Sequence, residues 1–249
     1  MRFSACIEML FSEEPVFANR VRAAKAAGLD AVEFWGWSNK DFGGVEAALK
    51  ETGLPLAGIL CEPIANLTNP ATHAFFLAGV AASRDAAMRF GAQLMIAQAG
   101  NAVAGMSRPS QHKALVDCLK RAADIVAGSS IVIALEPLND RVDHPGYFLT
   151  STTEGLDIID EVGRPEIRLL YDIYHAAVMG EAIDLLAGRL DRIAHVHLAD
   201  APGRHEPGSG DMDWQARLDW LAGHGYTGRV GLEYRPSAGT TASLGWLAR

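Results

Sequence analysis

The sequence predicts an α/β chain folded as one (β/α)8 barrel over residues 1–249. Eight short apolar runs rich in β-favouring residues start roughly 25 to 38 residues apart. Each gap leaves room for the crossover helix that neighbouring parallel strands require. The 249-residue length suits eight βα units, and no composition shift or Pro/Gly/Ser-rich linker marks a domain boundary. A doubly wound sheet is the alternative. It would carry a glycine fingerprint after its first strand, where Glu8-Met9-Leu10-Phe11 stands instead.

The expected strands are Phe3–Ile7, Ala31–Trp35, Leu56–Cys61, Gln93–Ala97, Ile131–Glu136, Ile167–Asp172, Ile193–Leu198 and Val230–Glu233. The first helix should open at Ser12, ahead of Glu13 and Glu14, and stop at Gly28. Asn69-Pro70 places a cap residue before a proline at the first helical position. Ser151-Thr152-Thr153-Glu154 is a capping box leading into Leu156, Ile159 and Val162, with Gly163 as the stop. Trp214, Leu218 and Leu221 mark an inward helical face that ends near Gly225, and Leu244–Leu247 is expected as a short last helix.

Composition removes several function classes. With 49% hydrophobic and 21% charged residues the chain reads as an ordinary globular protein, not a collagen, coiled coil or disordered segment. Lys and Arg number 22 against 30 Asp and Glu, a net charge of −8, which disfavours nucleic acid as a partner. No apolar run approaches the ~18 residues of a membrane helix, and Glu8 interrupts any export-type core, so a cytoplasmic location is expected. Cys6, Cys61 and Cys118 are odd in number and widely spaced, as reduced thiols would be.

Barrel enzymes carry their reacting groups at the carboxyl ends of the strands and in the loops that follow. Strands five to eight end in Glu136, Asp172, His197 and Glu233. Alternation puts Glu136 on the face of Val132 and Ala134, and Glu233 on that of Gly231, leaving small residues below the acids. Three carboxylates at one narrow mouth need a counter-charge, since desolvation and repulsion otherwise protonate them. A divalent cation supplies it. Three oxygen donors and one imidazole suit Mg²⁺ or Mn²⁺, with Co²⁺ also admitted, better than a structural zinc.

His195 shares the face of His197 one layer deeper and is expected to be a hydrogen-bonded core histidine. His175, three residues after Asp172, is either solvated or turned to a substrate. Arg204 lies in the turn-rich loop Asp200–Gly210, where its planar fork could clamp a substrate oxygen or simply lie in solvent. Gly208-Ser209-Gly210 lacks the Lys-Ser/Thr of a phosphate loop. Trp35 and Trp37 could roof a pocket or only pack, and Glu8, Glu33 and Glu62 near other strand ends carry no assigned role.

Five segments together resemble the hydroxypyruvate isomerase group of the xylose-isomerase-like TIM barrels. They are Ala134–Asn139, His144–Phe148, Leu170–His175, Asp200–Gly208 and Gly231–Pro236. The resemblance implies metal ligands at Glu136, Asp172, His197 and Glu233, proton transfer by Glu136 and Glu233, and substrate contacts from His175 and Arg204. It implies a small sugar or keto-acid substrate, most simply hydroxypyruvate converted to 2-hydroxy-3-oxopropanoate through an enediolate. His197 departs from the Gln frequent in that group; His there also occurs in ketose 3-epimerases and inosose-processing relatives. Ketose 3-epimerisation, four-carbon keto-acid isomerisation and inosose-type dehydration therefore stay open, as does a homo-oligomer. Outside this class stand a metal-dependent endonuclease, which the charge disfavours, and a catalytically silent binding barrel, which the intact Glu pair disfavours.

Overall fold

A computed structural model describes residues 1–248. Eight parallel strands, β1 (Arg2–Cys6), β2 (Ala31–Glu33), β3 (Ile59–Leu60), β4 (Leu94–Gln98), β5 (Val132–Glu136), β6 (Ile167–Asp172), β7 (Ile193–Leu198) and β8 (Arg229–Leu232), run in the order β2-β1-β8-β7-β6-β5-β4-β3. The remaining seam is stitched by a bridge between Val32 and Leu56. Amide bonds from Ala57 to the Val32 carbonyl (2.7 Å) and from Leu60 to that of Trp35 (3.1 Å) continue it. The sheet is thus a nearly closed barrel, as the strand spacing predicts. The strand expected at Leu56–Cys61 is regular only over Ile59–Leu60.

Helices α1 (Phe17–Ala26), α2 (Phe42–Thr52), α3 (His73–Phe90), α4 (Arg108–Val126), α5 (Thr152–Val162), α6 (Ile173–Met179) and α7 (Trp214–Gly223) fill the connections, and a short α8 (Thr240–Ser243) follows β8. Ser151 caps α5 through the Glu154 amide, but the Glu154 carboxylate pairs with Arg108 on α4 instead of closing the box. The first helix differs from expectation: Val16 occupies the cap position and Ser12 lies in a turn. Pro15 disfavours helical geometry at Glu14, which moves the start downstream. Glu13 is used elsewhere, accepting the Thr240 amide (3.1 Å) and hydroxyl (3.0 Å) and so tying the β1 and β8 loops together. Of the expected Leu244–Leu247 helix, Leu244 lies in a turn and the rest in a 3-10 segment, Gly245–Ala248. No described helix is long and apolar enough to cross a membrane.

Apolar side chains between sheet and helices form the main core, including Ile133, Leu135, Leu169, Val196, Val230 and Leu232. Burial of this layer is the principal stabilising term. Inside the barrel the filling divides in two. Leu60, Leu94, Ile96, Ala134 and Leu170 make a small apolar cluster on the side of β3 to β6. On the other side Glu33, His195 and His197 are buried against one another. Gly231 makes that polar half possible: a Cβ there would stand 2.0 Å from Glu33 Oε1 and 2.7 Å from His197 Cδ2.

Candidate active site

Glu136 and Asp172 close their strands, His197 is the last residue but one of β7, and Glu233 follows β8, its amide bonded to the Leu198 carbonyl at 3.2 Å. All four side chains are buried. His197 Nδ1 lies 3.5 Å from Glu136 Oε1, 3.5 Å from Glu233 Oε2 and 4.0 Å from Asp172 Oδ2. One donor atom from each of the four falls within 4.8 Å of all the others. The four strand ends therefore converge around one point.

The electrostatics of that point are uneven. Burial pushes the Glu136 carboxyl up to about 7, and repulsion from Glu233 and Asp172 adds to this against the pull of His197. Burial also acts to raise Glu233, but the neighbouring His197 and Arg204 and a bond from Trp35 hold it well below the usual carboxylate range. Burial opposes charge on His197, yet Glu233 and Glu33 hold its pKa well above the ordinary imidazole value. Glu136 Oε1 and both His197 ring nitrogens are buried without a hydrogen-bond partner. Leaving buried polar atoms unpaired is costly. A divalent cation among the three carboxylates and His197 Nδ1 would remove that cost for Nδ1 and Glu136 Oε1, so the donor set fits a metal.

Below this cluster Glu33 Oε2 accepts from His195 Nε2 at 2.8 Å, while its Oε1 faces His197 Nε2 at 3.5 Å. His195 is thus a paired core histidine, as expected. Burial acts to raise the Glu33 carboxyl, but His195 and His197 bring it down to about 2. Sequence reasoning left Glu33 unassigned because its partners lie more than 160 positions away on β7.

Above the cluster, His175 Nδ1 faces the Asn139 amide at 3.1 Å and the Asn139 side-chain amide at 2.7 Å. With Nδ1 accepting, the ring proton sits on Nε2, an atom buried without a partner and 3.7 Å from Asp172 Oδ2. Burial lowers the His175 pKa, favouring the neutral ring. Asn139 also bonds Asp143 at 2.7 Å, which accepts from Tyr174 at 2.8 Å and faces Arg204 at 3.9 Å. Arg204 pairs with Glu233 Oε2, and its guanidinium lies 5.3 Å from the Tyr174 ring centroid. Trp35 Nε1 donates to Glu233 Oε1 at 2.7 Å.

A cavity of about 290 Å³ opens here, lined among others by Trp35, Gln98, Glu136, His175, Arg204 and Glu233. Its apolar rim comes from Leu60, Ile64, Ile96 and Leu138. Trp35 therefore borders the pocket, whereas Trp37 turns away and bonds Ser83 at 3.0 Å.

Two acids hold the surrounding loops. Asp200, fully buried, accepts amides from Ala201 (2.8 Å), Gly208 (2.7 Å), Gly210 (3.0 Å) and Met212 (3.2 Å). Gly210 can approach because a Cβ there would meet the Ala201 carbonyl at 2.3 Å. The loop places Arg204 in the left-handed region at φ 56°, a geometry uncommon for a side-chain-bearing residue. Glu62 accepts the Trp37 and Ser38 amides at 2.6 and 2.8 Å, fixing the loop beyond β2. Glu8 forms a half-sheltered ion pair with Lys40 at 2.6 Å.

Residues 21–249 match the family model of the xylose isomerase-like TIM barrel. Over 99% of the chain and 98% of the relative, the sequence is 32% identical to an Escherichia coli protein named hydroxypyruvate isomerase. It is also 32% identical to a Cupriavidus necator 2-oxo-tetronate isomerase, over 99% and 97% of the two chains. A Brucella melitensis structure described as an AP endonuclease of family 2 superposes with a TM-score of 0.93 at 29% identity, covering 99% of this chain and 98% of the other. The chain is an isomerase belonging to the xylose isomerase-like TIM-barrel family, in company with the hydroxypyruvate and 2-oxo-tetronate isomerases.

Proposed function

We propose that the protein isomerises a small 2-keto acid, most simply hydroxypyruvate to 2-hydroxy-3-oxopropanoate, with a divalent cation held by Glu136, Asp172, His197 and Glu233. The observation that carries this is the set of buried, unpaired donor atoms on Glu136 and His197 beneath a cavity that also presents Arg204 and His175. The relatives named for hydroxypyruvate and 2-oxo-tetronate support the keto-acid class. Mg²⁺ or Mn²⁺ suits the oxygen-rich donors best. When bound, the cation would polarise the keto oxygen and so acidify the neighbouring C–H.

The chain's own groups divide the remaining work. Arg204, a planar cation at the pocket wall, takes the substrate carboxylate. His175, neutral with its proton on Nε2, donates to a substrate oxygen. Glu136 is the stronger base of the pair, because Trp35 and Arg204 bond to Glu233 and weaken its hold on a proton. Glu136 takes the C3 proton, leaving an enediolate, and either returns it at C2 itself or passes it to Glu233 for delivery there. The hydroxyl proton passes from O3 to O2, so the net change is one carbonyl shifted by one carbon. Trp35 and the apolar rim keep bulk water from the intermediate.

Incubation with Mg²⁺ or Mn²⁺ in D₂O tests this. Deuterium should enter hydroxypyruvate or its aldehyde isomer next to the carbonyl, and Glu136→Gln should slow that exchange by about 10²–10⁴-fold. Wild-type exchange in both Glu136→Gln and Glu233→Gln would eliminate the two-carboxylate scheme.

The 2-oxo-tetronate isomerase relative favours a second substrate, a four-carbon acid carrying one more hydroxyl. The same residues would serve it, with Gln98 and His144 at the cavity wall available to the added carbon. Comparing kcat/KM for the two acids decides between them.

A further inference from the structure

The opposite mouth of the barrel carries a cluster that the proposed reaction does not use. Arg2 on β1, Arg168 on β6 and Arg229 on β8 line a cavity of about 400 Å³ at the amino-terminal ends of the strands. Arg2 and Arg229 stand in register on adjacent strands. Like charges placed side by side in a sheet repel. Among the described residues no Asp or Glu lines this cavity, and none of the three arginines forms an ion pair with a described carboxylate. Arg2 bonds the Thr227 carbonyl at 3.1 Å and Arg168 the Asp191 carbonyl, contacts that orient the guanidiniums without neutralising them. The Asp191 carboxylate is taken by Arg192. Arg229 is half-buried, and its Nε is fully buried with no acceptor.

Arg2 is exposed and Arg168 and Arg229 are half-buried, so water screens part of their mutual repulsion, and the buried Arg229 Nε is the donor that most lacks an acceptor. We propose that this amino-terminal mouth binds a phosphate-type dianion, either free phosphate or the phosphoryl group of a small ester. A single carboxylate would offset one of the three charges, whereas a dianion offsets two and offers oxygens to several guanidinium forks at once. The site lies at the opposite end of the barrel from Glu136 and Arg204 and stands independently of the isomerase reading.

Thermal melting of the full chain, titrated with inorganic phosphate at ionic strength held constant with chloride, tests the site. A saturable rise in the midpoint is expected, about 5–10 °C once phosphate exceeds its Kd by roughly a hundredfold. Glycerol 2-phosphate is the second arm. A matching rise assigns the site to phosphoryl esters as well, and a rise with phosphate alone assigns it to the free ion. Arg168→Gln and Arg229→Gln should each abolish the phosphate-dependent rise and, in chloride alone, melt no lower than wild type because repulsion is relieved. Arg229→Lys, which keeps the charge, should retain a weaker rise, and Arg204→Gln should retain it in full. A midpoint unmoved by either probe would overturn the proposal. So would a rise that survives in both Gln variants or vanishes in Arg204→Gln.

Discussion

Glu136 and Glu233 leave β5 and β8 and meet beside one imidazole, yet their surroundings differ. Glu233 is tied by Trp35 and Arg204, while Glu136 keeps an unpaired oxygen. Without a cation, Glu136 is raised to about 7 and His197 is raised as well, so below about pH 7 both hold protons that a bound metal would displace. Raising the pH removes those protons, so Mn²⁺ affinity should tighten as the pH rises toward 7, by about tenfold per pH unit for each proton released, with the Glu136 contribution levelling off above about pH 7. Calorimetry in buffers of different ionisation enthalpy would check the proton release, and a pH-independent Kd would argue against it. Glu33 faces the far nitrogen of His197, the place of an outer-shell carboxylate that orients a histidine ligand. Glu33→Gln should weaken Mn²⁺ binding by about 10–100-fold, read directly by the electron paramagnetic resonance of free Mn²⁺.

At the level of elements, the strand ends were legible because alternation and position alone decide which residues reach the mouth. Glu136, Asp172, His197 and Glu233 could be marked from four short apolar runs. The loops were not. Asn139 and His175 meet across 36 positions, and neither has a local signal for it. Asp200 stands in a stretch of turn residues whose general composition hides that one carboxylate gathers four amides. Ser12 misled because a good cap residue was followed by Pro15, whose steric demand on Glu14 outweighed it. Asp200→Ala should lower stability by about 3 kcal/mol, a fall of about 6–12 °C in Tm for a chain of this size. By releasing Arg204 it should also cut kcat/KM by about 10²-fold. An unchanged KM for the keto acid in this variant would remove Arg204 from substrate binding.

Across the whole molecule the barrel is polar along its axis, with carboxylates gathered at the mouth that follows the strands and arginines at the mouth that precedes them. Eight βα units were visible in the spacing of apolar runs because each strand must be covered by helix on one face, which imposes a regular repeat. The thin seam between β2 and β3 was not, since two regular residues in β3 give no periodic signal. A cation held only by the folded chain stabilises the whole barrel by mass action, so Mn²⁺ at a hundredfold its Kd should raise Tm by about 5–10 °C. The most direct test of the central claim is anomalous X-ray diffraction from crystals soaked in Mn²⁺. One strong peak bounded by Glu136, Asp172, His197 and Glu233 is expected; manganese at any other place, with these four side chains bare, would contradict the account.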